Sequence, residues 1–315
     1  MIEVLYTITM VNINEYKNLT WTDASSPTKD ELESIINQYD LHPIIVEELL
    51  SPTRKPKIEI YGKYIFLALH IPIHENINKK RVIKSKEIDF VIGKDFIITS
   101  HDEIIEPLHE FSKMFETNTI LDKRGIGNHA GIIFFYIIKK LYEYMINDLE
   151  NIKDSLIDVE KHIFSGHERR MVERLSDISR ELIDFKQIIH LHREILESFS
   201  TIPGELFGKD FDYYIDEMKH AYTSVHGLVL SNKELLSDLR ETNDSLLSTK
   251  QNEHMKLFSI LAFVTFPLML FLNIFMLPTS HTPIIGYDYD WEILVGTVIV
   301  LAIGMFYFFK KKGWI

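Results

Sequence analysis

The sequence predicts an α+β cytoplasmic domain, then long stalk helices, then two C-terminal transmembrane helices. Three observations carry this. Two uncharged apolar runs, Leu257–Leu277 and Ile293–Phe309, lie near the C-terminus. Residues 1–128 mix β-rich runs with short amphipathic helices, and residues 129–256 read as helix almost throughout.

The first apolar run has 21 residues, whose only polar members are Ser259, Thr265 and Asn273. At about 1.5 Å per residue it spans a hydrocarbon core of about 30 Å. The second run has 17 residues and is flanked by Trp291 and Tyr307, aromatics of the kind that settle at membrane interfaces. Lys256 precedes the first span and Lys310, Lys311 and Lys312 follow the second, while the connecting segment 278–292 has neither Lys nor Arg. The positive-inside rule then predicts cytoplasmic termini, an external 278–292 loop and a multi-pass protein of the inner or plasma membrane. That loop carries Asp288, Asp290, Glu292 and His281, an acidic external mouth if copies assemble in a ring.

In the N-terminal part, Ile58–Ile71 reads as a hairpin turning at Gly62-Lys63, and Ile88–Thr99 as another turning at Gly93-Lys94-Asp95. Thr28 and Glu31 form a capping box opening a helix to Tyr39, and Pro43–Leu50 reads as a second short helix. The sheet is expected to be mostly antiparallel. Two antiparallel helices are expected over about 129–164 and 167–199, turning at Ser165-Gly166. Thr201–Gly208 then breaks the helix. From Tyr213 to Leu277 only Pro267 and Gly227 interrupt helix-compatible sequence, predicting one helix about 95 Å long that enters the membrane without a break. Val225, Leu228, Leu235, Leu239 and Leu246 recur at a 3–4 spacing, with Asn232 and Thr242 interrupting.

Composition narrows the function classes. A formal net charge of −12 disfavours a nucleic-acid partner. With no cysteine there are no disulfides or thiolate metal sites. Residues 1–10 lack a basic, long apolar leader, so a signal peptide is not expected. No phosphate-binding loop, hydrolase elbow, zinc-protease motif or dinucleotide fingerprint occurs, so the chain is not expected to be an enzyme. His190 and His192 point to different helix faces and His162 and His167 straddle a turn. These histidines and the Arg169-Arg170 pair read as surface residues.

Several stretches together resemble the CorA family of divalent-cation channels and transporters. They are Thr53-Arg-Lys-Pro-Lys-Ile-Glu before a strand, Phe90-Val-Ile-Gly-Lys-Asp-Phe around a turn, and Asn252-Glu-His-Met-Lys before the first span. Pro267-Leu268 in mid-span and the Lys310–Ile315 tail also match. The resemblance implies a funnel-shaped homopentamer in a lipid bilayer, whose first spans line a pore for divalent cations. It implies no firm cofactor, with Mg²⁺ or another divalent ion acting as substrate and regulator. It places pore-facing positions at Asn252, Met255, Phe258, Phe266, Met269 and Asn273. Helical stepping of 3–4 residues from Asn252 reaches these and Met276. Asn273 is the sole amide in a span and the candidate metal-contacting ring. Interprotomer regulatory cation sites would involve Glu87, Asp89 and Glu217, each of which otherwise reads as a solvated surface residue. One departure stands out. The family's Gly-Met-Asn at the end of the first span falls on Met276-Leu277-Pro278, and the tripeptide occurs nowhere else. Weaker or less selective Mg²⁺ transport is therefore expected, with Zn²⁺, Ni²⁺, Co²⁺ or a less selective flux, or a non-conducting sensor or scaffold, as alternatives.

Overall fold

The structure is a computed structural model. It describes residues 10–77, 80–116, 129–199, 204–208, 211–277, 284–286 and 288–313. The chain divides into two compact units, residues 1–239 and 240–315.

The first unit is built on a six-stranded sheet. In chain order come β1 (Met10–Tyr16), β2 (Leu19–Ser25), α1 (Lys29–Gln38), α2 (Ile44–Leu50), β3 (Lys57–Ile60), β4 (Tyr64–Ile77), β5 (Lys80–Gly93), β6 (Phe96–His101) and α3 (Glu106–Glu116). The strands lie in the order β1-β2-β6-β5-β4-β3. Only β2 and β6 pair in parallel. The other four pairs are antiparallel, as expected. The two predicted hairpins are β3–β4 and β5–β6. The β1–β2 hairpin and α3 were not anticipated. Lys17, at the β1–β2 turn, takes a positive φ of 55°. The Thr28–Glu31 capping box is present, with both reciprocal bonds made.

Period-2 alternation sends apolar side chains to both faces of the sheet. One face, carrying Tyr64, Phe66, Ala68, Val91 and Ile98, packs under Leu32, Ile35 and Ile36 of α1 and Ile45, Val46 and Leu49 of α2. On the opposite face Trp21 meets Phe111 and Phe115 of α3 at centroid distances of 5.2 and 5.6 Å. There Phe90 meets Phe134 edge-on at 5.4 Å. Trp21, Phe66 and Phe90 are fully buried.

β4 and β5 pair over their whole length, from Tyr64↔Gly93 to Ile77↔Lys80. β3 covers β4 only as far as Ala68, and β6 covers β5 only as far as Asp89. Beyond those points the hairpin runs on as a two-stranded ribbon.

The helical part of the first unit contains α4 (Gly131–Phe164), α5 (Glu168–Ile189), α6 (His192–Phe199), α7 (Gly204–Phe207) and the start of α8 (Phe211–Phe275). The turn after α4 falls at Ser165-Gly166 as expected, with Gly166 at φ 91°. The helix expected over 167–199 is two helices, interrupted at His190-Leu191. The interruption turns His192 inward, against the expectation of a surface residue. It is fully buried, its Nδ1 accepts from Tyr142 Oη at 3.1 Å, and its Nε2–H donates to the His70 carbonyl at 2.7 Å. Burial lowers its pKa to about 4, which keeps the ring neutral. His190, Arg169 and Arg170 are exposed as expected. Of the breaker expected over 201–208, residues 201–203 lie outside the described residues, while 204–207 form the short helix α7 and Gly208 takes a positive φ of 77°.

α8 is the 65-residue helix the sequence predicts. Its buried positions in the first unit run from Phe211, Ile215, Met218 and Tyr222 to Val225, Val229, Asn232, Leu236 and Leu239, so the stripe passes beside Leu228 and Leu235, which are half-buried. Asn232 does not interrupt the seam but serves it, donating from Nδ2 to the Leu149 carbonyl of α4 at 2.8 Å.

The second unit holds the rest of α8 and α9 (Asp290–Lys311). Both helices are long and apolar enough to cross a membrane. α9 begins at Asp290, so Asp290 and Glu292, expected in the loop, occupy its first turn, where carboxylates complement the helix dipole.

Candidate ion pathway

Pro267 removes one backbone donor from the middle of the apolar span of α8, yet the helix continues to Phe275. Met276 N–H and Leu277 N–H then close a tighter final turn on the carbonyls of Asn273 and Ile274, at 3.2 and 3.4 Å. Met276 and Leu277 thus follow the helix end directly. Pro278 and His281 lie outside the described residues.

The span of α8 has two unlike faces. Ile260 is buried, and Val264, Leu268, Phe271 and Phe275 are half-buried. Asn252, Met255, Phe258, Phe266, Met269, Asn273 and Met276 are exposed, Phe266 by 75% and Met276 by 79%. At about 100° per residue the centres of these two stripes lie roughly 160° apart. α9 shows the same pattern, with Leu294, Val298, Ala302 and Met305 half-buried and Phe309 buried. Lys256 Nζ donates to the Gly313 carbonyl at 3.3 Å, tying the start of one span to the end of the other. Each span thus has one covered face. The face of α8 bearing the seven predicted positions is open. Sequence reasoning proposed pore-facing positions on that exposed side and did not name the covered stripe, although the Ile260-to-Phe275 spacing was there to be read.

Asp288 is exposed, and Asp290 Oδ2 accepts from the Gly286 N–H at 3.2 Å. The acidic trio is therefore split between a turn and the start of α9.

The predicted regulatory acids separate. Glu217 is exposed on α8, while Glu87 and Asp89 share one cavity of 440 Å³ beside α2. Alternation along β5 puts Ser85, Glu87 and Asp89 on the face that α1 and α2 cover, past the edge of their apolar contact. Thr53 and Arg54, from the segment after α2, and His70 of β4 wall the cavity. Glu87 accepts from the Thr53 N–H at 2.9 Å and from its hydroxyl at 2.6 Å. His70 Nε2 bonds the Thr53 carbonyl at 3.0 Å. Asp89 is 7% exposed, against the expectation of a solvated residue, and its Oδ1 has no hydrogen-bond partner. Burial, followed by repulsion from Glu87, pushes its pKa up to about 9. It is a neutral acid at pH 7. Among the described residues no three acids or histidines converge on a common metal position.

The profile of the CorA-like Mg²⁺ transporter proteins matches residues 16–311. The cobalt/magnesium transport protein CorA of Thermotoga maritima is 23% identical over 94% of this chain and 86% of its own length. A putative metal ion transporter of Bacillus subtilis, YfjQ, is 21% identical over 93% of this chain and 89% of its own. Among solved structures, the CorA magnesium transporter of Methanocaldococcus jannaschii superposes with a TM-score of 0.80 at 18% identity, covering 96% of this chain and 93% of that one. The full-length CmaX protein does so with 0.68 at 14% identity, covering 93% and 88%. With a match that takes in strands β2 to β6, the 65-residue helix and both apolar spans, the chain belongs to the CorA-like Mg²⁺ transporter family.

Proposed function

We propose that this chain is the subunit of a homopentameric channel or transporter for divalent cations, with the first span of α8 lining the pore and no catalytic activity. The observation that carries this reading is the open stripe from Asn252 to Met276, opposite the covered face of the same helix. A helix whose second face is left bare invites further copies to close a ring around it. Most of the stripe is apolar, so the conduit closes by dewetting at Met255, Phe258, Phe266 and Met269. Five Asn273 amides form the polar constriction of the outer half and meet the water shell of the ion. That suits a small divalent cation, which sheds its water reluctantly. Met276-Leu277-Pro278 offers no amide ring, so discrimination among divalent ions falls to Asn273 and is broader than Mg²⁺ alone. Lysine placement supports cytoplasmic termini, with Asp288, Asp290 and Glu292 on the outer side.

The Glu87–Asp89 cavity gives the cytoplasmic domain a second place to meet cations. A cation entering it exchanges for the Asp89 proton, so occupancy rises with pH. Glu217, exposed and separate, belongs to contacts between copies.

Planar-bilayer recordings from the purified protein, with Mg²⁺, Co²⁺, Ni²⁺ and Zn²⁺ exchanged, test the reading. Cation currents with weak preference for Mg²⁺ support it. Silence under all four ions, from protein that native mass spectrometry finds pentameric, favours a non-conducting sensor, to which the apolar stripe also lends itself. Single cysteines at 284 and 310 test the orientation in this cysteine-free chain. An impermeant thiol reagent outside intact cells should label position 284 and spare 310.

A further inference from the structure

The ribbon of β4 and β5 carries a charged cluster that ion conduction does not use. His74 of β4 is largely buried, with its side chain 9% exposed. Its Nδ1–H donates to Asp148 Oδ2 of α4 at 2.9 Å. Its Nε2 lies 3.5 Å from Glu181 Oε2 of α5, an ion-pair distance without good hydrogen-bond alignment. Arg81 of β5 reaches Asp148 Oδ1 at 3.4 Å from a more exposed position. One imidazole therefore touches the two long helices that pack on this ribbon, and each supplies a carboxylate.

We propose that His74 is a proton-operated latch that holds the α4–α5 hairpin against the β4–β5 ribbon. A neutral imidazole carries one N–H and serves one carboxylate. The imidazolium carries two and serves both helices at once. Asp148 and Glu181 are two negative charges facing one ring, with Arg81 the positive charge answering Asp148 from the other strand. Burial opposes the charged ring, and the hydrogen bond to Asp148 together with the nearby Glu181 carboxylate outweighs it, so the His74 pKa stands above its ordinary value despite Arg81. The sign follows. The latch is fully closed below the ordinary histidine pKa of about 6.5, and it releases as pH rises through the higher folded value. Unlatched, Glu181 loses its partner and α5 is the first element to loosen from the ribbon.

Hydrogen–deuterium exchange on the full-length assembled protein tests this. Peptides from α5 and from 71–77 are followed between pH 6 and 8.5 after correction for intrinsic exchange. In the wild type, opening of α5 should rise about tenfold across that window, the order of one charge-assisted hydrogen bond. His74→Gln, which cannot be charged, should be open to the same degree at every pH. Glu181→Gln should fold with the Asp148 contact intact and move the midpoint to lower pH. The Glu181→Gln arm decides the matter if His74→Gln fails to assemble. An α5 that opens with the same pH profile in either variant as in the wild type overturns the latch. So does a wild-type α5 whose protection is flat with pH.

Discussion

The sheet and the span of α8 spend their aromatic residues in opposite ways. Phe66 and Phe90 are fully buried between strands and helices of their own chain, whereas Phe258 and Phe266 stand 67% and 75% exposed on a single helix. The sheet completes its core within one chain. The span leaves the apolar surface around Phe258 and Phe266 uncovered by its own chain. Apolar surface is thus a folding device in the first region and, under the proposed function, an assembly and gating device in the second, although the residue types are the same.

Paired substitutions break or sharpen that contrast. Phe90→Ala should destabilise the sheet domain by about 3–5 kcal/mol, read by urea unfolding of the full-length protein through Trp21 fluorescence. Phe266→Ala should leave that transition in place and alter the currents instead. Equal losses of stability from both would erase the distinction. The next effect is electrostatic and specific to the sheet. A carboxyl with a raised folded pKa keeps its full stability only below its unfolded value near 3.9, and it loses stability as pH climbs toward about 9. Asp89→Asn should therefore stabilise the protein at pH 8 by roughly 1–3 kcal/mol and do nothing near pH 3.5. It should also abolish the cation exchange proposed for the cavity. A destabilised Asp89→Asn at pH 8 would mean that the carboxylate form is the native one.

Smaller effects follow. Thr28→Ala removes one half of the capping box and should cost about 1 kcal/mol in the same unfolding experiment. Asn273→Ala should be the mildest for stability, on the order of 0.6 kcal/mol per membrane hydrogen bond, yet should shift reversal potentials among divalent ions. Lost pentamer stability with unchanged reversal potentials would make Asn273 a packing residue.

The membrane half of the architecture was legible because its determinants are local. Span length, lysine placement and the open stripe of α8 follow from residue order alone. The capping box and both hairpin turns were legible for the same reason. What escaped depends on partners distant in sequence. The alternation of Ser85, Glu87 and Asp89 with Lys86, Ile88 and Phe90 reads as a solvated face, until α2 and Thr53 close over it and turn Asp89 into a buried acid. His192 follows helical spacing without a glycine or proline to announce the break before it. Only Tyr142 and the His70 carbonyl, contributed by α4 and β4, explain why it faces inward. The β1–β2 hairpin hid in a short polar stretch whose Trp21 is held by α3 and by a bond to Thr99 Oγ1 at 3.0 Å.

The ribbon that extends past β3 and β6 has a consequence during synthesis. Among the described residues no third strand pairs with its two outer edges, and such edges are the template on which nascent chains stick together. Pro72 sits in β4 just past Ala68, where β3 no longer pairs, so one edge lacks a donor there. Lys86 on β5, bridged to Glu75 and Glu103, keeps charge beside the other edge. If copies assemble as proposed, they must avoid meeting by the wrong surface. Pro72→Val with Lys86→Val should lower the yield of soluble, membrane-targeted chains through aggregation, even where the mature fold tolerates both changes.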